Sequence, residues 1–267
     1  MADPARIPVS AYMITRDNAR TVETALRSVA AWADEIVLVD SFSTDQTLEI
    51  ARRYGAKIEQ RPWPGFSDQY QYASERCRND WVLFLDADEE LAPDLIREIQ
   101  EELPRNAARP EAEQVRGYYG HRRTWYLGRW ILHGGWVPDY EIRLYRRQYG
   151  EWKGGLHAKV HIDGRVAHFR GLYHHYTYAD IADQLRTIDR YSTTDAADMQ
   201  AAGVRASCCR MTGRALFRFV RDYVLKRGFL DGMPGFIIAV NTAFYVFVKN
   251  AKLWEAQNLR PKEGKPQ

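Results

Sequence analysis

Asp86 and Asp88 stand two apart in Asp86-Ala87-Asp88-Glu89-Glu90, directly after the apolar run Trp81-Val82-Leu83-Phe84-Leu85. Side chains two apart on an extended segment point the same way, so both carboxylates leave the end of one buried strand together. The C-terminal edge of an open α/β sheet is where such folds bind ligands. Two hard oxygen donors with open positions suit Mg²⁺ or Mn²⁺, which takes one or two carboxylates and completes its shell with water and substrate phosphates. Such a cation would hold a diphosphate and stabilise the charge that develops as it leaves. A short Asp-x-Asp string can also be an acidic surface loop with a helix cap. The strand before it and the strand–helix units upstream favour the metal. Asp40 ends another apolar run, Ile36-Val37-Leu38-Val39, in the same manner. Its carboxylate could accept from a uracil N–H or a ribose hydroxyl, or it could cap the turn Ser41-Phe42-Ser43-Thr44-Asp45. Asp45 itself reads as a cap.

The elements that position these groups follow from periodicity. Ile7 to Ile14 reads as a buried strand, followed by a helix with Val22, Ala25, Leu26, Val29 and Ala30 on one face. Glu35 to Asp40 is a second strand, Thr47 to Tyr54 a short helix stopped at Gly55, and Ala56 to Glu59 a third strand. A helix over Phe66 to Arg76 precedes the Trp81–Leu85 strand, and Pro93 opens a helix carrying Leu95, Ile96, Ile99 and Leu103. Strand and helix repeating in turn predict an α/β fold, a mostly parallel sheet with helices on both faces. Residues 104–115 read as a polar loop, Tyr118 to Tyr149 as short aromatic strands, and the chain from Ile181 as helical. The expected organisation is a domain over residues 1–200, a C-terminal amphipathic helical region over 201–259 and a tail over 260–267.

With 267 residues, 45% hydrophobic and 27% charged, the chain can build one large core or a core with an appendage. A net charge of +3 does not by itself call for nucleic acid, and none is expected as a partner. Three cysteines, two of them adjacent, give no disulfide framework and fit a reducing, cytoplasmic location. The N-terminus lacks the apolar stretch of a signal peptide, and no uninterrupted run reaches the ~18–20 residues of a membrane span. Arg210, Arg214, Arg218 and Arg221 fall on one helical stripe beside Leu216, Phe217, Val220, Tyr223 and Val224, and Lys226 and Arg227 extend the charge. The apolar stretch from Phe236 to Val248 is too interrupted to span and suits a helix in the headgroup layer or a hydrophobic hairpin. The expectation is a peripheral protein on the anionic inner face of the cytoplasmic membrane. The alternatives are a helix packed on the core with a solvated basic face, or a homodimer contact.

Four strings carry a resemblance. VDSFSTDQT and WVLFLDADEEL resemble the signatures of family 2 glycosyltransferases. GRWILHGGWVPDYEIRLYRR and KRGFLDGMPGF resemble the branch of bacterial lipopolysaccharide-core β-1,4-glucosyltransferases, and the likeness runs from about Ile7 to Glu255. The resemblance implies a GT-A fold, a nucleotide-sugar donor, a divalent metal and direct displacement with inversion at the anomeric carbon. It implies that Thr15, Arg16 and Asp40 help hold the nucleoside, that Asp86 contacts ribose or metal, and that Asp88 binds the metal. It places Asp139 near the catalytic carboxylate of relatives, and it marks His175 of a His-Tyr pair as a further metal ligand or a grip on the diphosphate. The chain departs from its relatives at Asp17-Asn18, where they carry Asn-Glu, at Tyr70-Gln71, where Arg-Asn is frequent, and at His157-Ala158, where the branch carries His-Glu.

Inversion needs one carboxylate to take the acceptor proton. Asp139 and Glu141, two apart, can share a face, with Asp139 the first choice and Glu141 the second; either could instead pair with Arg143. Arg143 could face the leaving phosphates. Gly134-Gly135 would let the backbone pass close to the sugar, and Trp136 could stack on the acceptor or serve as a core residue. His157 and His161 read as structural. The expected activity is transfer of a hexose, glucose from UDP, to a lipid-linked saccharide such as a lipopolysaccharide core heptose. The rivals are a capsule or protein acceptor, and a non-catalytic nucleotide-sugar-binding protein.

Overall fold

The computed structural model describes residues 6–155 and 157–259, so the expected tail lies outside the described residues. In chain order these form β1 (Ile7–Thr15), α1 (Val22–Ala30), β2 (Ala33–Asp40), α2 (Thr47–Arg53), β3 (Lys57–Gln60), α3 (Phe66–Glu75), β4 (Trp81–Phe84), β5 (Glu89–Leu91) and α4 (Pro93–Ala107). There follow β6 (Gly117–Tyr126), β7 (Arg129–Trp130), β8 (Tyr140–Arg146), β9 (Gly150–Lys153), β10 (Lys159–Ile162), β11 (Val166–His175), α5 (Ile181–Ala201), α6 (Cys208–Phe219) and α7 (Gly232–Asn258). They divide into two compact units. Unit 1 is the chain up to Thr124 with Asp139–Thr177, and unit 2 is Trp125–Pro138 with the chain from Tyr178.

In unit 1 the strand order is β3-β2-β1-β4-β8-β6-β11-β5. The first four strands are parallel, as the strand–helix repeat predicts. Beyond β4 the sheet is mixed: β8 is antiparallel to β4 and to β6, β11 is parallel to β6, and β5 is antiparallel to β11. Parallel neighbours need a crossover of a dozen or more residues. Between residues 117 and 175 the strands are joined without α-helices, so much of that half pairs antiparallel.

Alternation in β1 sorts the two faces. Val9, Ala11 and Met13 join Leu26 and Val29 of α1, Ile50 of α2 and Leu95 and Ile99 of α4. Tyr12 points the other way, into Tyr70 and Ala73 of α3, Phe84, Tyr145, and Trp152 and Val160 of the β9–β10 hairpin. Both faces are covered, which is why β1, β2 and β4 read as continuous apolar runs. α4 continues through Pro104 to Ala107, past its expected end at Leu103. Its last turn is pinned by buried Asn106, whose amide donates to the Val115 carbonyl (2.9 Å) and accepts from the Val115 N–H (2.8 Å).

Unit 2 has its own core of Tyr126, Ile131 and Ile238, with Trp136, Val137, Ile237 and Tyr178 against it. α5, capped by Asp180 accepting from the Asp183 N–H, packs with α7 in this unit. Lys249 pairs with Asp195 (2.9 Å) and Lys252 with Asp189 (2.7 Å). These contacts tie α5 to α7 within unit 2. α7 is one helix of 27 residues, about 40 Å at 1.5 Å per residue, which replaces the hairpin alternative. Asn241 does not interrupt it, because its amide donates to the Gln184 side chain. By length and composition Gly228–Asn258, whose most apolar 18-residue stretch has mean hydropathy 1.3, would suffice to cross a membrane, a length that counting uninterrupted apolar residues missed.

Candidate active site

β4 delivers the acidic pair. Leu85 still donates to the Tyr12 carbonyl (3.1 Å), and the chain then leaves the sheet. Asp86 and Asp88 are partly exposed while Ala87 and Glu89 turn inward, so the two aspartates share a side. Asp86 is gripped: Oδ1 accepts from the Tyr70 hydroxyl (3.1 Å), and Oδ2 faces Nη1 and Nη2 of Arg143 (3.3 and 3.4 Å). Burial, with Glu89 adding to it, pushes the Asp86 carboxyl up to about 7. Asp88 faces His175, with Oδ2 at 3.3 Å from Nε2. The other ring nitrogen lies 3.3 Å from the Thr124 hydroxyl. His175 is delivered by the end of β11, opposite Thr124 in β6 and Glu89 in β5. Burial would raise the Asp88 carboxyl, but His175 and Arg122 outweigh it and hold it below its ordinary range.

Behind the pair lies a charged core. Arg143 is 1% exposed and sits over the Phe84 ring, 4.4 Å from its centroid. Its Nη2 is 2.6 Å from Glu89 and 3.0 Å from Glu141. Arg122 contacts the same Glu89 (3.2 Å) and Asp139 (2.7 Å), with Glu141 at 3.7 Å. Two guanidiniums thus serve Asp86, Glu89, Asp139 and Glu141, with Asp88 alongside. Carboxylates outnumber fixed cations in this cluster, which favours binding a further positive charge.

Both candidate bases therefore belong to one network. Burial would raise the Glu141 carboxyl, but Arg143 and Arg122 outweigh it, so it is held low and is a weak proton acceptor. Asp139 uses only Oδ2 for Arg122, at 2.8 Å from Nε and 2.7 Å from Nη2. Among the described residues, its Oδ1 accepts no hydrogen bond.

The donor set can be tested against a divalent cation. Asp88 and His175 present one oxygen and one nitrogen at the strand ends. Asp86 is turned into Tyr70 and Arg143. Among the described residues no three His, Cys, Asp or Glu side chains converge on one point. Two protein donors with an excess of nearby carboxylates fit an ion that takes its remaining ligands from water and phosphate oxygens.

The donor-side residues are placed differently. Asp40 is fully buried, and its oxygens accept from the Thr15 hydroxyl (3.1 Å), the Ser43 N–H (2.8 Å) and hydroxyl, and the Gln60 amide (3.0 Å). It fills the capping role and tethers the ends of β1 and β2. Thr15 is buried with it, whereas Arg16 is exposed. Asp45 lies one residue before the N-cap Gln46 of α2 and accepts from the Thr47 N–H (2.9 Å) and the Ala19 N–H (2.9 Å).

In unit 2, Trp136 packs edge-on against Tyr126, at 5.4 Å between ring centroids. The glycines before it approach a side chain of the unit itself. A Cβ on Gly135 would lie 2.2 Å from Oδ2 of Asp222. Asp222 is buried and held by Arg218 and Arg221, each at 2.7 Å, so two of the four expected stripe arginines are engaged internally. Asp231, also buried, accepts from the N–H groups of Leu132 (3.0 Å) and His133 (2.7 Å). The GRWILHGGWVP and KRGFLDGMPGF strings are thus two halves of one packed turn.

The sequence profile described as Glycosyl transferase family 2 matches residues 10–162, more than half of the chain. The chain belongs to glycosyl transferase family 2. It is 29% identical over 257 residues to an uncharacterised glycosyltransferase of Rickettsia typhi, covering 92% of this chain and 87% of that one. A Rickettsia felis relative of the same description is 30% identical over 260 residues, with 93% and 90% covered. The chain is also 28% identical over 270 residues to LpsC of Rhizobium meliloti, a lipopolysaccharide core biosynthesis glycosyltransferase, with 96% and 95% covered.

Two departures of this family 2 glycosyltransferase have local explanations. Tyr70 supplies the hydrogen bond to Asp86, and Gln71 accepts from the Trp152 N–H (3.1 Å). Ala158 packs against the apolar cluster of Tyr12, Tyr145 and Trp152. Sequence reasoning missed Glu89, Arg122 and Tyr70. A signal for Glu89 was present: in Asp-Ala-Asp-Glu, alternation points it inward, and a charge aimed at the core must find partners.

Proposed function

We propose that this family 2 glycosyltransferase is an inverting, metal-dependent hexosyltransferase that moves glucose from a UDP-linked donor to a lipid-linked saccharide. The lipopolysaccharide inner core is the acceptor of first choice, reached from the inner face of the cytoplasmic membrane. The likeness to LpsC supports that acceptor. The carrying observation is Asp88 beside His175 at the sheet edge, backed by a cluster in which carboxylates outnumber guanidiniums.

Asp88 and His175 would hold Mg²⁺ or Mn²⁺, which supplies charge stabilisation to a departing diphosphate. In the transfer, an acceptor hydroxyl oxygen bonds to the anomeric carbon as the bond from that carbon to the diphosphate oxygen breaks. The bonding electrons leave with the nucleoside diphosphate. Asp139, through its uncommitted Oδ1, takes the hydroxyl proton. Arg122 fixes Asp139, and Arg143 with Tyr70 fixes Asp86.

A thermal-shift screen of nucleotide sugars with Mn²⁺ or Mg²⁺ tests the reading. UDP-glucose with metal should raise the melting temperature more than either alone, and Asp88→Ala should remove that synergy. An unchanged response in Asp88→Ala would take Asp88 out of the site. Donor binding without any transfer or hydrolysis would instead support a non-catalytic binder.

A further inference from the structure

We infer that unit 2 docks on an anionic lipid bilayer, with α7 lying in the headgroup plane and not crossing the hydrocarbon. The partner rests on the proposed lipid-linked acceptor, while the evidence is internal to unit 2. First, Phe229, Leu230, Met233, Phe236, Val240 and Phe244 are all exposed, Met233 to 68%. From Met233 on, their spacing of three and four residues keeps them on one side of α7. Contiguous exposed apolar surface of this kind marks an interaction site.

Second, the exposed charge between Arg205 and Trp254 has one sign. Between Arg205 and Trp254 the acids are Asp222 and Asp231, set against nine Lys and Arg. Both acids are buried and paired, at 1% and 0% exposure. Among the described residues Arg210, Arg214, Lys226 and Arg227 form no ion pair. Lys226 and Arg227 fall between exposed Leu225 and exposed Phe229. A second copy would bring like charge against like charge, whereas phosphate headgroups complement it, as in interfacial helices with apolar and basic faces.

Third, the other side of α7 is committed to protein. Lys249 and Lys252 pair with Asp195 and Asp189 of α5, and Asn250 is buried. A helix surrounded by lipid would have to carry those charges into hydrocarbon, where they are costly. One face is thus available to lipid and the opposite one is not.

Flotation of the full chain with vesicles of phosphatidylcholine, with and without phosphatidylglycerol, tests this. Binding should require phosphatidylglycerol and be reversed by high salt. Phe229→Glu/Leu230→Glu and Lys226→Glu/Arg227→Glu should each lower partition by about tenfold or more, with circular dichroism unchanged. Retention that resists salt and alkaline carbonate would mean that α7 spans, and would overturn the inference. So would failure to float together with a concentration-dependent dimer that the apolar variant dissociates. The melting response to UDP-glucose and Mn²⁺, read on the same samples, separates the two readings. Its absence with flotation intact defeats the proposed UDP-glucose donor and spares the docking surface.

Discussion

Glu89 has no exposed surface, and its carboxylate lies between two guanidiniums, Arg143 at 2.6 Å and Arg122 at 3.2 Å. Removing one partner from such a buried group leaves uncompensated charge, which costs about 3–5 kcal/mol. Glu89→Gln should therefore lower the urea unfolding free energy by that order. Glu101→Gln, which breaks the exposed pair with Arg105, should change it by less than about 1 kcal/mol. Equal effects would mean that the inner network is not what holds the strand ends. Cys77 gives a second test at this scale. Burial, with Glu35 adding to it, pushes its thiol up to about 12, so thiolate is scarce at ordinary pH and grows only towards that value. A thiol reagent at mildly alkaline pH should modify exposed Cys208 and Cys209 and spare Cys77 until the protein unfolds. Rapid labelling of Cys77 in the native state would contradict its burial. The aspartate pair was legible in the sequence because strand alternation is local. The partners of Glu89 were not, since Arg122 and Arg143 lie 33 and 54 residues away and only the mixed half of the sheet brings them in.

At the scale of elements, β1, β2 and β4 could be read because burial on both faces leaves unbroken apolar runs, and α1 and α4 because their inward faces repeat at helical spacing. The pairing of β8, β6, β11 and β5 could not, since register depends on loops with no local code. The continuity of α7 was hidden because Asn241 resembles an interruption until Gln184 is placed beside it. The glycines of the Gly134–Trp136 turn were expected to let the backbone pass close to the sugar; the close approach in the fold is to Asp222. Its carboxylate is clamped by two arginines and cannot yield. Gly135→Ala should thus destabilise the protein by about 1–3 kcal/mol. Gly213→Ala, on α6 with nothing within 4 Å of its added Cβ, should stabilise it by roughly 0.5–1 kcal/mol, because alanine loses less backbone entropy in a helix. Chemical denaturation of the two variants should move in opposite directions. A neutral Gly135→Ala would show that the turn relaxes without its contact to Asp222.

Taken over the whole chain, a net charge of +3 conceals two different distributions. Unit 1 concentrates carboxylates where β4, β5, β6, β8 and β11 end or pass, and unit 2 keeps its acids between residues 205 and 254 buried. Each unit also has its own apolar core: two large clusters in unit 1, and a small one around Tyr126, Ile131 and Ile238 in unit 2. Separate cores allow separate melting, because cooperativity is a property of a packed unit and not of a chain. Calorimetry should resolve two transitions. A ligand that binds one native unit stabilises that unit alone, by about 2.7 kcal/mol at a hundredfold excess over Kd. UDP-glucose with Mn²⁺ should therefore raise the transition of the unit carrying Asp88 and His175 by several degrees and leave the other in place. Chelation of the metal should return it, and Asp88→Ala should abolish the shift. A single transition that moves as a whole would show instead that both cores melt together, and the energetic division of the chain at Thr177 would have to be given up.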